Sequence, residues 1–161
     1  MLELNIFPDS DATLPPGNRG TVDFGSANNS TADLSRQILF GLNDSDLSFF
    51  PNSEFNLDNT PIDLNGDPGI SAGIKDELAA IIGQPRAFPI FSNVTGPGNN
   101  STYTIIKFVG ATIVDVQLTG NNKRVIIQPT SYIDPTAVRG EGGTGSVIQT
   151  DTVFAPLYLY K

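Results

Sequence analysis

Residues 69–73 (Gly-Ile-Ser-Ala-Gly) match the G-x-S-x-G pattern, in which a serine acts as nucleophile just before a helix. That chemistry needs a base to take the serine proton, usually a histidine, and the chain contains none. Lys75 is an alternative base, but its spacing from Ser71 is one residue longer than in the serine–lysine motif. We therefore interpret Ser71 as part of a first helical turn whose small neighbours allow close packing. We predict no catalytic residue and no enzymatic activity.

Paired carboxylates are the second arrangement that could do chemistry, since glycosidases use two of them. Asp76 and Glu77 are neighbours on the polar side of a predicted helix, and Asp44 and Asp46 are expected in a polar loop. The chain has no tryptophan on which a sugar could stack. Charged runs of this kind are usually solvated surface, which is how we interpret both pairs.

Residues 63–67 carry oxygen ligands at alternate positions, as the start of a calcium loop does. Counted from Asp63, however, the sixth position is Pro68 and the twelfth is Ile74, where such loops need glycine and glutamate. We expect a turn followed by a helix cap and predict neither a metal ligand set nor a cofactor, although an irregular Ca²⁺ site stays open. Without histidine or cysteine, a transition-metal site is disfavoured.

The net charge of −8 and the sequence pI of about 4.2 argue against nucleic acid as a partner. The nine basic residues are scattered, and the only adjacent pair is Lys123 and Arg124. Anionic membrane surfaces are disfavoured for the same reason.

The first residues lack the basic start and apolar stretch of a signal peptide, and no apolar run approaches the ~20 residues of a membrane span. If the domain is exported, we expect this chain to be a fragment from which the targeting segment has been left out.

Two helices must position these residues. Ser30 and Asp33 have capping spacing, and Leu34, Ile38 and Leu42 follow at four-residue intervals, so we predict a helix over residues 31–40, with Gly41 at its end. The second helix is expected to start at Asp67 and Pro68, with Gly69 or Ser71 as alternative starts, and to end at Gly83. Its apolar stripe comprises Ile70, Ile74, Leu78, Ile81 and Ile82.

The remainder indicates strands, with an apolar pair at Phe49 and Phe50 that we expect to fill the core. Pro89 marks an edge or a bulge, Gly110 a kink or a bulge, and residues 120–122 a hairpin turn. The fold class is α+β: a single domain over residues 1–161, mainly antiparallel sheet with about two α-helices packed on it. The predicted strands cover residues 2–7, 21–24, 87–94, 102–118, 124–127 and 151–160.

An ordered series of segments resembles the C-terminal extracytoplasmic region of TadG-like proteins of the Tad, or Flp-type, pilus-assembly group, in the form found in planctomycete-like bacteria. The segments are PGNRGTVD at 16–23, NNSTADLSRQIL at 28–39, GISAGIKDEL at 69–78, GQPR at 83–86, GPGNN at 96–100, YTI at 103–105 and KRVIIQP at 123–129. The likeness covers nearly the whole chain.

This resemblance implies a periplasmic or cell-surface domain, tethered to the inner membrane by an N-terminal helix that this chain lacks. Its implied partners are other pilus-assembly or envelope proteins, and it supplies no catalytic or binding residues to transfer. We expect a non-catalytic structural or interaction domain of a tight-adherence pilus accessory protein. The alternative is a surface ligand-binding domain, unrelated to pili, that takes Ca²⁺ or a glycan at residues 63–67.

Overall fold

The fold is organised around one long strand that carries the rest of the sheet on its two edges. The structure, a computed structural model, describes residues 3–6, 19–25, 30–57, 60–135 and 153–154. The strands are β1 (Leu4–Asn5), β2 (Thr21–Val22), β3 (Ile62–Asp67), β4 (Pro85–Thr95), β5 (Ser101–Gln117), β6 (Arg124–Pro129), β7 (Tyr132–Ile133) and β8 (Val153–Phe154). The helices are α1 (Thr31–Phe40), α2 (Asp44–Leu47) and α3 (Lys75–Ala80).

Strand β5 is the centre of the sheet. It pairs antiparallel with β4, β3 and β6. Residues 102–105 pair with both β4 and β3, whereas residues 111 and 112 pair with both β4 and β6. Strands β3 and β6 therefore follow one another along the edge of β5 opposite to β4. Strand β2 extends the sheet beyond β3 and β1 extends it beyond β6, which confirms the predicted α+β fold with a mainly antiparallel sheet.

A bulge in β5 reverses which side its residues face. Ile105 pairs with Phe91 and Lys107 pairs with Ile90, so Ile106 is an extra residue without a partner in β4. An extra residue changes the alternation of side chains between the two faces of a strand. Tyr103 and Ile105 consequently face one side of the sheet, and Ala111 and Ile113 face the other.

The bulge expected at Gly110 is not found there. Gly110 pairs in regular register with Ala87, and the second irregularity of β5 lies between Ile113 and Asp115. Pro89 lies in β4, which pairs only with β5 among the described strands and is therefore an edge strand, as expected. The irregularities in the pairing of β4 fall between Ile90 and Asn93, after Pro89. The hairpin predicted at residues 120–122 is confirmed by the antiparallel pairing of β5 with β6.

Two hydrophobic cores result, one on each face of the sheet. The first, which we call the helix-side core, buries residues of α1 and α3 and the turns beside α3 against β5 and β6. Its buried members are Leu34, Ile74, Leu78, Ile81, Ala111, Ile113, Leu118, Val125 and Ile127. The second, which we call the aromatic core, buries Leu64, Tyr103 and Ile105, with Phe24, Phe50, Phe55 and Phe91 among the side chains packed around them.

Tyr103 is the largest buried side chain of the aromatic core, and it lies against two glycines. A β-carbon on Gly66 would come within 2.7 Å of the Tyr103 ring and 2.6 Å of the Thr21 carbonyl oxygen. A β-carbon on Gly20 would lie 2.4 Å from the Tyr103 hydroxyl. An aromatic side chain on one strand thus fills the space that a glycine leaves on the next.

Helix α1 begins and ends where the sequence predicts. The Ser30 hydroxyl accepts a hydrogen bond from the Asp33 amide at 3.1 Å, and Gly41 has a φ of 80° that favours glycine. The start of the second helix at Asp67 and Pro68 is wrong, whereas the alternative start at Ser71 agrees with the structure, in which Ser71 caps the turn that leads into the helix. Residue Asp67 closes strand β3 opposite Thr21, and the chain forms a 3₁₀ turn, Ala72–Ile74, before the short helix α3.

The predicted apolar stripe and the Phe49–Phe50 pair are confirmed only in part. Ile74, Leu78 and Ile81 are buried, whereas Ile82 is exposed. Phe50 packs on the aromatic core, but Phe49 does not join it.

One prediction lies largely outside the described residues. It is the last strand, residues 151–160, of which the structure describes only β8. Strand β8 pairs in parallel with β7. No helix in the described ranges is both long enough and apolar enough to cross a membrane.

Candidate interaction surface

The structure makes Ser71 a capping residue. Its hydroxyl accepts a hydrogen bond from the Gly73 amide at 3.1 Å, at the start of the 3₁₀ turn. A β-carbon on Gly73 would lie 3.1 Å from the Thr31 side chain, so this glycine allows α1 to approach, whereas Gly69 has open space around it. Residues 69–73, which match the nucleophile pattern, thus connect β3 to the 3₁₀ turn that precedes α3.

Lys75, the alternative base, is held in its protonated form. Its ammonium group lies 2.9 Å from a carboxylate oxygen of Asp76. The hydrogen bond from Lys75 to Asp76 raises the pKa of Lys75 above its ordinary value. A general base needs the opposite change, a pKa lowered toward neutral pH.

The segment at residues 63–67 is a strand, so the turn and helix cap expected there are wrong. All five residues belong to β3; residues 63–66 pair with β5, and Asp67 pairs with Thr21 of β2. The Asp63 carboxylate accepts a hydrogen bond of 2.7 Å from the Thr104 hydroxyl on β5. Within the described part of the chain, no group of three or more acidic side chains is placed to hold a metal ion.

The most connected polar group links α1 to α2. The Arg36 guanidinium on α1 donates two hydrogen bonds to the carboxylate of Asp46 on α2, at 2.9 Å and 2.5 Å. Gln37, the next residue on α1, donates to the same carboxylate at 3.3 Å. Asp46 is only 7% exposed, so these bonds satisfy a nearly buried charge. We call this group of Arg36, Gln37 and Asp46 the interhelix clamp.

Gln37 also connects the clamp to the end of β2. Its side-chain nitrogen donates to the carbonyl oxygen of Phe24 at 2.9 Å and to the carboxylate of Asp23 at 3.2 Å. Asp23 is 2% exposed, and Phe24 meets the Phe55 ring edge to face and stacks on Phe108 at the border of the aromatic core. The clamp therefore fixes both helices to the sheet.

Asp46 completes a capping box at the start of α2. The Asn43 side chain accepts from the Asp46 amide at 3.0 Å, and the Asp46 carboxylate accepts from the Asn43 amide at 2.9 Å. Burial alone would raise the pKa of Asp46. The hydrogen bonds from Arg36 and from the Asn43 amide outweigh it and lower the pKa below its usual value, which keeps the carboxylate charged.

Three large apolar side chains are exposed on the segment of the chain that carries this clamp. Phe40, one turn after Arg36 on α1, is 81% exposed, and Phe49, three residues after Asp46, is 61% exposed. Leu42, in the connection between the helices, is 38% exposed. We call Phe40, Leu42 and Phe49 the corner residues. Three such side chains within ten residues, on a segment held by internal hydrogen bonds, are what a protein-binding surface offers.

The solvated polar loop predicted for Asp44 and Asp46 is wrong, because these residues form helix α2 and Asp46 is buried, and the sequence did not predict the clamp. One local signal was available, since Asn43 and Asp46 have the spacing of a capping box and predict the start of a helix. The link from Gln37 to Asp23 spans 14 residues and two different elements, so no spacing rule reveals it.

Comparison of the chain with known proteins found no matching family model, no similar curated protein and no similar solved structure. The resemblance to TadG-like proteins therefore stays a prediction.

Proposed function

We propose that this chain is a non-catalytic protein-binding domain of the bacterial cell envelope that docks a partner through the corner residues Phe40, Leu42 and Phe49. The observation that carries the proposal is the exposure of these side chains at the end of α1, in the connection to α2 and just after α2, on a segment whose two helices the clamp holds together. A preorganised surface loses less conformational entropy on binding than a flexible one. The role in tight-adherence pilus assembly comes from the sequence resemblance alone.

The absence of enzymatic activity is part of this proposal. The chain has no histidine and no cysteine, so the commonest catalytic base and the thiol nucleophile are missing. Ser71 serves as a cap, and Lys75 is paired with Asp76. These features support a binding role over a hydrolytic one.

The test is site-specific photo-crosslinking in the source cells. A photoreactive amino acid replaces Phe40 in the full-length native protein, and a matched control carries it at Asn122, which is also exposed but lies in the β5–β6 turn. We expect a discrete adduct from position 40 and none from position 122. Mass spectrometry should identify a pilus-assembly or other envelope protein, with the adduct in the membrane fraction.

Two results would contradict the proposal. Equal crosslinking from positions 40 and 122 would mean that the corner residues are not a specific surface. A native polypeptide of about 17.1 kDa in the cytoplasmic fraction would refute the envelope assignment.

A further inference from the structure

The segment that carries the corner residues is acidic. Residues 30–57 contain four carboxylates, at Asp33, Asp44, Asp46 and Glu54, and a single basic residue, Arg36, so the segment has a net charge of 1 − 4 = −3. Asp44 and Glu54 are exposed, and Asp33 is partly exposed. A ligand that binds this segment therefore meets exposed apolar rings on a stretch of chain with a net negative charge.

The single basic residue of this segment is already neutralised. The Arg36 guanidinium is occupied by the two hydrogen bonds to Asp46, and its second nitrogen also lies 3.7 Å from a carboxylate oxygen of Asp33. An acidic partner would thus find no available cation between residues 30 and 57. A basic partner would find the carboxylates of Asp44 and Glu54 facing solvent.

We infer that the partner presents a basic peptide segment with apolar anchors, whose lysines or arginines face Asp44 and Glu54 while its apolar side chains cover Phe40 and Phe49. The inference rests on the proposed function, because it names the chemistry of the partner for the same surface. Opposite charge steers such partners together and rejects acidic competitors. Buried aromatic contacts supply most of the affinity at surfaces of this kind.

The experiment uses three synthetic peptides of equal length on the purified chain. The first peptide consists of lysine and leucine placed so that, in a helix, the leucines form one face and the lysines the other. The second peptide has glutamate in place of each lysine, and the third has serine in place of each leucine. Binding is followed by fluorescence anisotropy of labelled peptide and by chemical-shift mapping of the protein amides. We expect the lysine–leucine peptide to bind at least about tenfold more tightly than either of the others.

Variants locate the site. Phe40→Ser with Phe49→Ser should weaken the lysine–leucine peptide about tenfold, since both side chains are exposed and their loss leaves the cores intact. Asp44→Asn should weaken binding severalfold and reduce its dependence on salt. Ile133→Ser, at an apolar side chain that is 63% exposed on β7, is the control and should leave binding unchanged.

Each other outcome overturns the inference. Equal binding of the lysine–serine peptide would reveal general attraction to an acidic chain. Equal binding of the glutamate–leucine peptide would remove the charge preference. If sedimentation shows self-association that Phe40→Ser abolishes, the occupant is a second copy of the chain. If Phe40 crosslinks to an envelope protein through an acidic segment, this inference fails while the proposed function stands.

Discussion

Tyr103 combines a well-packed aromatic ring with a hydroxyl group that makes no hydrogen bond among the described residues. Its ring fills the space above Gly66, but its hydroxyl is buried and has no hydrogen-bond partner among the described residues. Burial, reinforced by the nearby charge of Asp67, raises the pKa of Tyr103 to about 12. The ring therefore stabilises the aromatic core, whereas the hydroxyl costs free energy there.

Tyr103→Phe should keep the ring and remove this cost. We expect the free energy of unfolding at pH 7 to stay equal or to rise by up to about 1 kcal/mol, measured by urea denaturation. Because the folded pKa lies above the unfolded value, wild-type stability should fall as pH rises from about 10 to 12, and this fall should be smaller in the variant. A loss of more than about 1 kcal/mol at pH 7 would mean that the hydroxyl has a hydrogen-bond partner.

Gly66→Ala tests the close approach itself. Its methyl group would overlap the Tyr103 ring and the backbone carbonyl of Thr21, and a backbone atom cannot move aside as a flexible side chain can. We expect a loss of at least about 2 kcal/mol in unfolding free energy. Gly69→Ala is the matched control, since nothing lies within 4 Å of its added β-carbon, and it should be neutral. Equal stability of both variants would refute the tight packing described for Tyr103.

At the scale of elements, the sequence predicts what is local and misses what depends on long-range pairing. Helix α1 was predicted because Ser30, Asp33 and Gly41 are signals within one helix. The segment before α3 was misjudged because the Asp67–Pro68 pair looks like a helix cap, while pairing with Thr21 and Ser101 makes residues 62–67 a strand. The face reversal of β5 at Ile106 has no local signal, since it arises from register with β4.

The interhelix clamp should make stability depend on acid pH. The folded pKa of Asp46 is lowered, so its contribution is present above the unfolded pKa of about 4 and is lost as pH falls through the folded value. We expect Asp46→Asn to lower the free energy of unfolding by about 2–3 kcal/mol at pH 7 and by much less near pH 2. Denaturation at several pH values measures both.

Asp115→Asn is the control for Asp46→Asn. Asp115 also pairs with an arginine, Arg124, but both side chains are more than a third exposed, so its loss should cost less than about 1 kcal/mol. If the two variants lose equal stability, or if the Asp46→Asn deficit persists unchanged at pH 2, the clamp does not act through a charged Asp46.

Deleting Ile106 tests the role of the bulge. Without this extra residue, the pairing of β5 with β4 would turn either Tyr103 and Ile105 or Ala111 and Ile113 to the wrong face. We expect the deletion to abolish the cooperative unfolding transition seen by circular dichroism. Ile106→Ser keeps the residue count and changes only a partly exposed side chain, so it should cost less than about 1 kcal/mol. A folded deletion variant would contradict the face reversal.

At the scale of the whole molecule, β5 makes the two cores one cooperative unit. It contributes Tyr103 and Ile105 to the aromatic core and Ala111 and Ile113 to the helix-side core. Unfolding of either core therefore disrupts β5, on which the packing of the other core depends. The interhelix clamp adds a second connection, because Gln37 on α1 bonds to Phe24 beside the aromatic core. Damage to one core should therefore lower the stability of both.

Ile113→Ala measures this coupling. The substitution empties part of the helix-side core and should lower the free energy of unfolding by about 2–5 kcal/mol. If the molecule unfolds as one unit, native-state hydrogen exchange should show the same loss of protection for amides of β3, in the aromatic core, as for amides of β6. Ile105→Ala, on the opposite face, should produce the reciprocal result. Full protection of β3 in Ile113→Ala would mean that the two cores unfold independently and that β5 only connects them.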